Sequence, residues 1–163
     1  MEAVIFIGIQ GSGKTTFFKE RFADTHVRIN LDMLRTKNRE KVLLEACLEA
    51  KIRFLVDKVN ASREERARYI VEAKRFGFRV VGYYLRSDLK SAMERNNRRT
   101  GKARIPDKGL FDSAKRLQIP TYDEGFDELN YVWINEESRF VTETWLETDI
   151  DKSAALLADI GRE

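Results

Sequence analysis

Eight residues near the start of the chain constrain its fold more than any other feature. Gly8-Ile9-Gln10-Gly11-Ser12-Gly13-Lys14-Thr15 fits the pattern G-x-x-x-x-G-K-[ST] in full. The apolar run Ala3-Val4-Ile5-Phe6-Ile7 precedes it and reads as a strand buried on both faces. A helix is expected to start at the loop and run to about Phe22. Glycines let the backbone take positive φ, so successive N–H groups turn inward and form an anion nest at a helix N-terminus. The anion such a nest suits is a polyphosphate. Lys14 is placed to reach the β- and γ-phosphates and the Thr15 hydroxyl to ligate magnesium, with Gly8, Gly11, Ser12, Gly13 and Thr16 completing the cradle. The chain has no Asn-Lys-x-Asp stretch of the kind that reads guanine, which favours ATP over GTP.

The rest of the chain alternates strand and helix signals. Val27-Arg28-Ile29 reads as a short second strand, and Asn38 is expected to cap a helix through Lys51 with Val42, Ala46 and Leu48 to Ile52 as its buried stripe. Phe54-Leu55-Val56 makes a third strand ending at Asp57. Ser62 and Glu65 form a capping box for a helix that Gly77 closes. Phe78 to Leu85 is strand, Ser87 or Asp88 opens a helix to about Thr100, and Ile105-Pro106-Asp107 leads into another reaching about Leu117. Tyr131 to Ile134 is the last expected strand. The predicted fold class is therefore α/β: a phosphate-loop NTPase three-layer sandwich on a mostly parallel sheet of about five strands, with a helical lid near residues 95–106. Residues 1–135 are read as this domain, and 136–163 as an acidic, helical extension, with Asp149 to Gly161 its helix. A length of 163 residues fits one core.

No basic segment followed by a long apolar stretch opens the chain, so no secretory signal is expected, and no apolar run is long enough to cross a bilayer. The single Cys47 excludes an internal disulfide and is expected to be a small core residue. Together these predict a cytoplasmic protein without membrane partners. His26 is read as structural or exposed, and Trp133 and Trp145 as packing residues.

Charge is unevenly spread. Arg86 to Arg116 holds ten basic and four acidic residues, whereas eight acids face three bases from Glu136 onward. A basic block of this kind suits a polyanion on one face. At the ends of the predicted strands, Asp57 and Asp32 are the carboxylates expected near the phosphate loop. Asp57 is the expected metal holder beside Thr15, with orientation of Arg35 or of the acceptor as its alternative role. Asp32 is read as the base for an acceptor hydroxyl. Arg35 lies one turn further on if a short helix begins at Asp32, where its fork can grip a neighbouring phosphate. Arg95 and Arg99, four apart, are expected to share a helix face and close over the phosphates.

These residues resemble the 5′-hydroxyl polynucleotide kinases over roughly Met1 to Ile134. Asn30-Leu31-Asp32-Met33-Leu34-Arg35 is similar to that family's Asn-x-Asp-x-x-Arg segment, in which the Asp is the base and the Arg holds the acceptor phosphate. Val56-Asp57-Lys58-Val59-Asn60 with Arg63 and Arg66 resembles its strand-Asp-x-x-Asn segment, and Arg95-Asn96-Asn97-Arg98-Arg99 through Ile105-Pro106 its arginine-bearing lid. Ile119-Pro120-Thr121 through Glu124-Gly125-Phe126 resembles the stretch after it. Lys58-Val59 depart from the family's usual Asn-Thr, and the sequence from Glu136 and a phosphatase domain have no match. The resemblance implies ATP and Mg2+ as cofactors and a DNA or RNA 5′-hydroxyl end as acceptor. It also implies a role in nucleic acid repair beside a repair enzyme or ligase. A kinase of a small metabolite or aminoacyl-tRNA hydroxyl, and a nucleotide-switched binding module, are the alternatives on the same fold.

Overall fold

The computed structural model describes residues 1–158. Its strands are the apolar runs: β1 (Glu2–Ile7), β2 (Val27–Ile29), β3 (Phe54–Val56), β4 (Arg79–Leu85), β5 (Glu128–Ile134) and β6 (Phe140–Thr144). Between them lie α1 (Lys14–Arg21), α2 (Leu31–Leu34), α3 (Lys37–Glu49), α4 (Arg63–Arg75), α5 (Leu89–Asn97), α6 (Asp107–Arg116) and, after β6, α7 (Thr148–Ala158). One sheet runs in the order β2-β3-β1-β4-β5-β6, with its first five strands parallel and β6 antiparallel to β5. Parallel pairing brings the carboxyl ends of β1, β2, β3 and β4 to one rim, where sites of such sheets form.

Two apolar clusters make this a three-layer structure. On one face α1 presses Phe17 and Phe18 onto Val4, Phe6, Leu55, Val81 and Val132. On the other, α3, α4, α5 and α6 contribute Cys47 and Leu48, Tyr69 and Ile70, Ala92, and Leu110 against Ile5, Ile7, Val80 and Tyr84. Tyr83 and Tyr84 face opposite ways, as strand alternation requires. Gly82 faces the packed Phe126 and Leu129: a Cβ there would stand 2.6 Å from Leu129 Cδ1.

The α/β sandwich follows the sequence, with four differences. The sheet has six strands, because Phe140–Thr144, expected to be helical, pairs along β5. The proposed boundary at residue 135 thus falls inside the β5–β6 hairpin turn. Alternating Phe140, Thr142 and Thr144 is a strand signal that the surrounding acidic residues mask. The α3 stripe is Leu43, Leu44, Cys47 and Leu48; Val42, Ala46 and Ile52 are exposed, and Thr36, not Asn38, caps the helix through Arg39 N. The α5 helix stops at Asn97, and α2 starts at Leu31, one residue before Asp32. The expected end of the last helix near Gly161 lies outside the described residues.

Candidate nucleotide and acceptor site

The loop between β1 and α1 has the shape its glycines allow. Gly11 and Gly13 take φ of 77° and 99°, and α1 starts at Lys14 with no side-chain cap. Its first N–H groups are thus left for an anion. The Ser12 hydroxyl is buried with no partner among the described residues, which fits a ligand oxygen. Lys14 folds back on its own loop, Nζ donating to the Gly8 and Ile9 carbonyls at 2.9 and 2.8 Å. Burial pulls its pKa down to about 8, Asp57 opposes that shift, and the Arg99 charge adds to it. The cradle therefore fits a triphosphate, whose charge would replace the two carbonyls as partner of the ammonium.

Neighbouring segments hold the loop in place. Gly8 N donates to the Val59 carbonyl at 3.1 Å, and Ile9 N to the Ser87 hydroxyl at 3.0 Å. Phe140, from β6, lays its ring 3.2 Å from where a Gly13 Cβ would stand, and packs on Phe17 at 5.0 Å between centroids. Nothing in the sequence around Phe140 pointed to this contact.

Asp57 ends β3 beside the loop and is 4% exposed. Its Oδ2 accepts from Arg28 Nε at 2.9 Å, Arg28 Nη2 at 2.6 Å and Asn30 Nδ2 at 3.4 Å. Arg28 Nη2 also donates to Thr15 Oγ1 at 3.3 Å. One guanidinium nitrogen thus contacts both oxygens expected to hold metal. A hydroxyl and one carboxylate are hard donors that suit magnesium held mainly by nucleotide phosphates and water. Among the described residues no group of three or more His, Cys, Asp or Glu side chains forms a separate metal site. Sequence reading missed Arg28; its signal is a charged side chain in a three-residue strand otherwise made of Val27 and Ile29.

Asn30 caps α2, its side chain accepting from Met33 N at 3.0 Å while its amide donates to the Asp57 carbonyl at 3.2 Å. That single turn carries Asp32, exposed at the rim, and ends at Arg35, also exposed, whose φ of 72° is left-handed. A non-glycine residue held in that region marks a constrained side-chain position. Asp32 and Arg35 are thus one helical turn apart at the same rim as the phosphate loop.

The arginines of the lid differ from each other. Arg95 donates from Nε to the Gly11 carbonyl at 2.5 Å, and burial lowers its pKa. It is tied to the loop backbone instead of standing free over phosphates. Because α5 ends at Asn97, Arg99 lies beyond the helix and is exposed, yet its charge reaches Lys14. Buried Asn96 holds both backbone groups of Ile105, donating at 2.6 Å and accepting at 2.9 Å, so the segment carrying Arg98, Arg99, Lys102 and Arg104 is a closed loop. Thr16 lies exposed in the first turn of α1.

Behind the site, Arg66 is fully buried and forks onto Glu124, Nε–Oε2 2.7 Å and Nη2–Oε1 2.8 Å, while Nη1 donates to the Asn60 and Ala61 carbonyls. It fixes the turn that follows Asp57. Lys58 donates to Glu40 and to the Tyr69 hydroxyl, and those two residues line a groove of about 900 Å3 between α3 and α4.

Known proteins share this fold. The bifunctional polynucleotide phosphatase/kinase of Schizosaccharomyces pombe is 28% identical over 136 residues, covering 80% of this chain and 33% of that protein. The chain thus spans a third of that relative's length. Kti12 of Chaetomium thermophilum, solved with ADP-AlF3, superposes with a TM-score of 0.60 at 17% identity, covering 96% of this chain and 97% of its own. The AvrRxo1-ORF1:AvrRxo1-ORF2 complex contains a chain with a TM-score of 0.69 at 13% identity, covering 99% of this chain and 66% of that one. These are fold likenesses: a phosphate-loop kinase-like fold similar in sequence to a polynucleotide kinase. The AAA domain family model matches residues 34–120, just over half the chain, from the last residue of α2 to the segment just past α6, so the match begins after the phosphate loop. The chain belongs to the AAA domain family.

Proposed function

We propose that the chain is an ATP-dependent kinase that phosphorylates the 5′-hydroxyl of a nucleic acid. The observation that carries this reading is Asp32 and Arg35 on one turn, anchored through Asn30 to Asp57 at the rim of the phosphate loop. The similarity to a polynucleotide phosphatase/kinase supports it.

Transfer of a γ-phosphoryl group is mostly a matter of positioning and charge neutralisation. In this reading the loop N–H groups and Lys14 hold the β- and γ-phosphates. Thr15 and Asp57 hold magnesium, which when bound neutralises phosphate charge. Asp32 accepts the proton of the 5′-hydroxyl as its oxygen bonds to the γ-phosphorus and the bond to the β-phosphate oxygen breaks, with ADP leaving. Arg35 grips the phosphate 3′ to that hydroxyl, and Arg99 offsets the charge spread over the γ-oxygens.

The test is transfer of labelled γ-phosphate from ATP to 5′-hydroxyl DNA and RNA oligonucleotides, with Lys14→Ala and Asp32→Asn in parallel. Label at the 5′ end, lost in the first variant and reduced at least about a hundredfold in the second, is expected. Full activity in Asp32→Asn with intact ATP binding would remove its role as base. Absence of label on either strand would move the acceptor to a small hydroxyl compound.

A further inference from the structure

A buried carboxylate needs a counter-charge whether or not a metal is present. Asp57 obtains one from within the chain. Of the three N–H donors on its Oδ2, two come from Arg28, and the same guanidinium reaches Thr15 Oγ1. The pair of oxygens that would serve a divalent cation is therefore bridged by a monovalent one. Lys14 is parked in a comparable way on the carbonyls of its own loop. Both cations beside the phosphate loop thus have internal partners.

The bridge is not locked. Arg28 lies over the Phe18 ring at 5.1 Å, and its side chain keeps 22% of its surface in solvent, against 3% for the Asp57 side chain. The carboxylate is fixed and the guanidinium has an open side. Arg28 lies on β2 and Asp57 directly follows β3, so the pairing joins the edge strand to the end of its neighbour beyond their three-residue ladder. Asn30 stays on Asp57 through the backbone carbonyl as well as the carboxylate, so Asp57 keeps a polar partner when Arg28 leaves.

We propose that Arg28 is an exchangeable stand-in for the divalent metal: it bridges Thr15 and Asp57 in the metal-free protein and swings off as the cation enters. It rests on the assignment of Thr15 and Asp57 to the metal made above. Physically, two requirements exclude coexistence. Thr15 and Asp57 have few lone pairs facing the shared space, and the guanidinium already uses some of them. A divalent cation beside a guanidinium also meets like-charge repulsion. Metal entry and Arg28 release are then one exchange, in which the protein replaces one counter-charge of Asp57 by another. Arg28 keeps the metal-free site ordered and, as its competitor, weakens metal affinity. It acts as a positioning residue and touches no reacting atom.

The experiment is calorimetric titration of Mn2+ into the full chain saturated with a nonhydrolysable ATP analogue, for wild type, Arg28→Gln and Arg28→Lys, with the thermal midpoint of each protein measured without and with excess Mn2+. The two charge-assisted hydrogen bonds lost on the metal-free side, discounted for the open side of the guanidinium and for the amide that Arg28→Gln leaves to replace part of them, are worth about one order of magnitude in the exchange equilibrium. Arg28→Gln should therefore bind Mn2+ about tenfold tighter than wild type. Arg28→Lys, which keeps the charge but loses the fork, should bind about threefold tighter. Without metal both variants should melt below wild type, and saturating Mn2+ should close that gap. Equal or weaker Mn2+ affinity in the variants would overturn the proposal, as would a melting deficit that metal leaves untouched. If Arg28→Gln fails to fold, Arg28→Lys decides by the same criteria. Because no acceptor enters this titration, tighter Mn2+ binding without any oligonucleotide labelling would sink the kinase acceptor assignment alone. Unchanged Mn2+ binding beside normal labelling would sink only the exchange.

Discussion

Nucleotide binding should take up a proton at Lys14. In the ligand-free protein the ammonium is buried among its own loop carbonyls, and its pKa falls from 10.5 to about 8. Asp57 limits the fall and Arg99 deepens it. Polyphosphate oxygens favour the charged form and return the pKa toward its ordinary value, a swing of about 3 kcal/mol at roughly 1.4 kcal/mol per unit. At pH 8 about half of the protein carries a neutral Lys14, so binding a nonhydrolysable ATP analogue should take up about 0.5 proton, rising to about 0.9 at pH 9. Affinity should weaken about tenfold from pH 7 to pH 9 as the charged fraction shrinks. Calorimetry at each pH in buffers of different ionisation enthalpy counts the protons, and Lys14→Arg, which stays charged throughout, should show none of this uptake. The same shift acts on stability. Because the folded pKa lies below the unfolded one, the contribution of Lys14 is unfavourable below pH 8 and is relieved as pH rises toward 10.5; Lys14→Met should lack that rise. A buffer-independent binding heat at pH 8, with affinity flat from pH 7 to 9, would refute the buried, depressed ammonium.

Two further substitutions test how the site is braced. Arg66→Ala leaves the Glu124 carboxylate buried without its fork and frees the turn after Asp57, so chemical denaturation should show a loss of about 3–5 kcal/mol; a loss under about 1 kcal/mol would mean that water or another side chain already satisfies Glu124. Arg95→Gln removes the tie between α5 and the Gly11 carbonyl, and the analogue should bind about three- to tenfold more weakly in calorimetry, with unchanged affinity refuting a role for that tie.

How far the site could be read from the chain depended on how local each signal was. The phosphate loop, β1 and α1 lie within about twenty consecutive residues, and Gly11 and Gly13 announce their left-handed backbone directly. The shared turn of Asn30, Asp32 and Arg35 was legible for the same reason, since the three lie within six consecutive residues. Contacts across the fold were not. Nothing near Arg28 in the sequence names Thr15 or Asp57, and nothing near Arg95 names Gly11, because these pairings exist only after β3 and α5 arrive beside the loop. The spacing of Arg95 and Arg99 suggested a shared face, but the helix ends between them, and only Arg95 docks. β6 was hidden by composition: its acidic surroundings gave the charge of a solvated helix, while the strand depends on β5 for its hydrogen bonds.

The packing of Phe140 against Gly13 has a consequence for synthesis. The glycine loop between β1 and α1 is made well ahead of β6, yet its outer wall comes from that sixth strand. At about 5–20 residues per second, several seconds pass between the emergence of one and the other. A nascent chain ending before β6 exposes Phe17, a glycine-rich backbone and the unpaired edge of β5 together. The hairpin therefore closes the loop in time as well as in space, and competence to bind nucleotide should appear abruptly, only once β6 has been made.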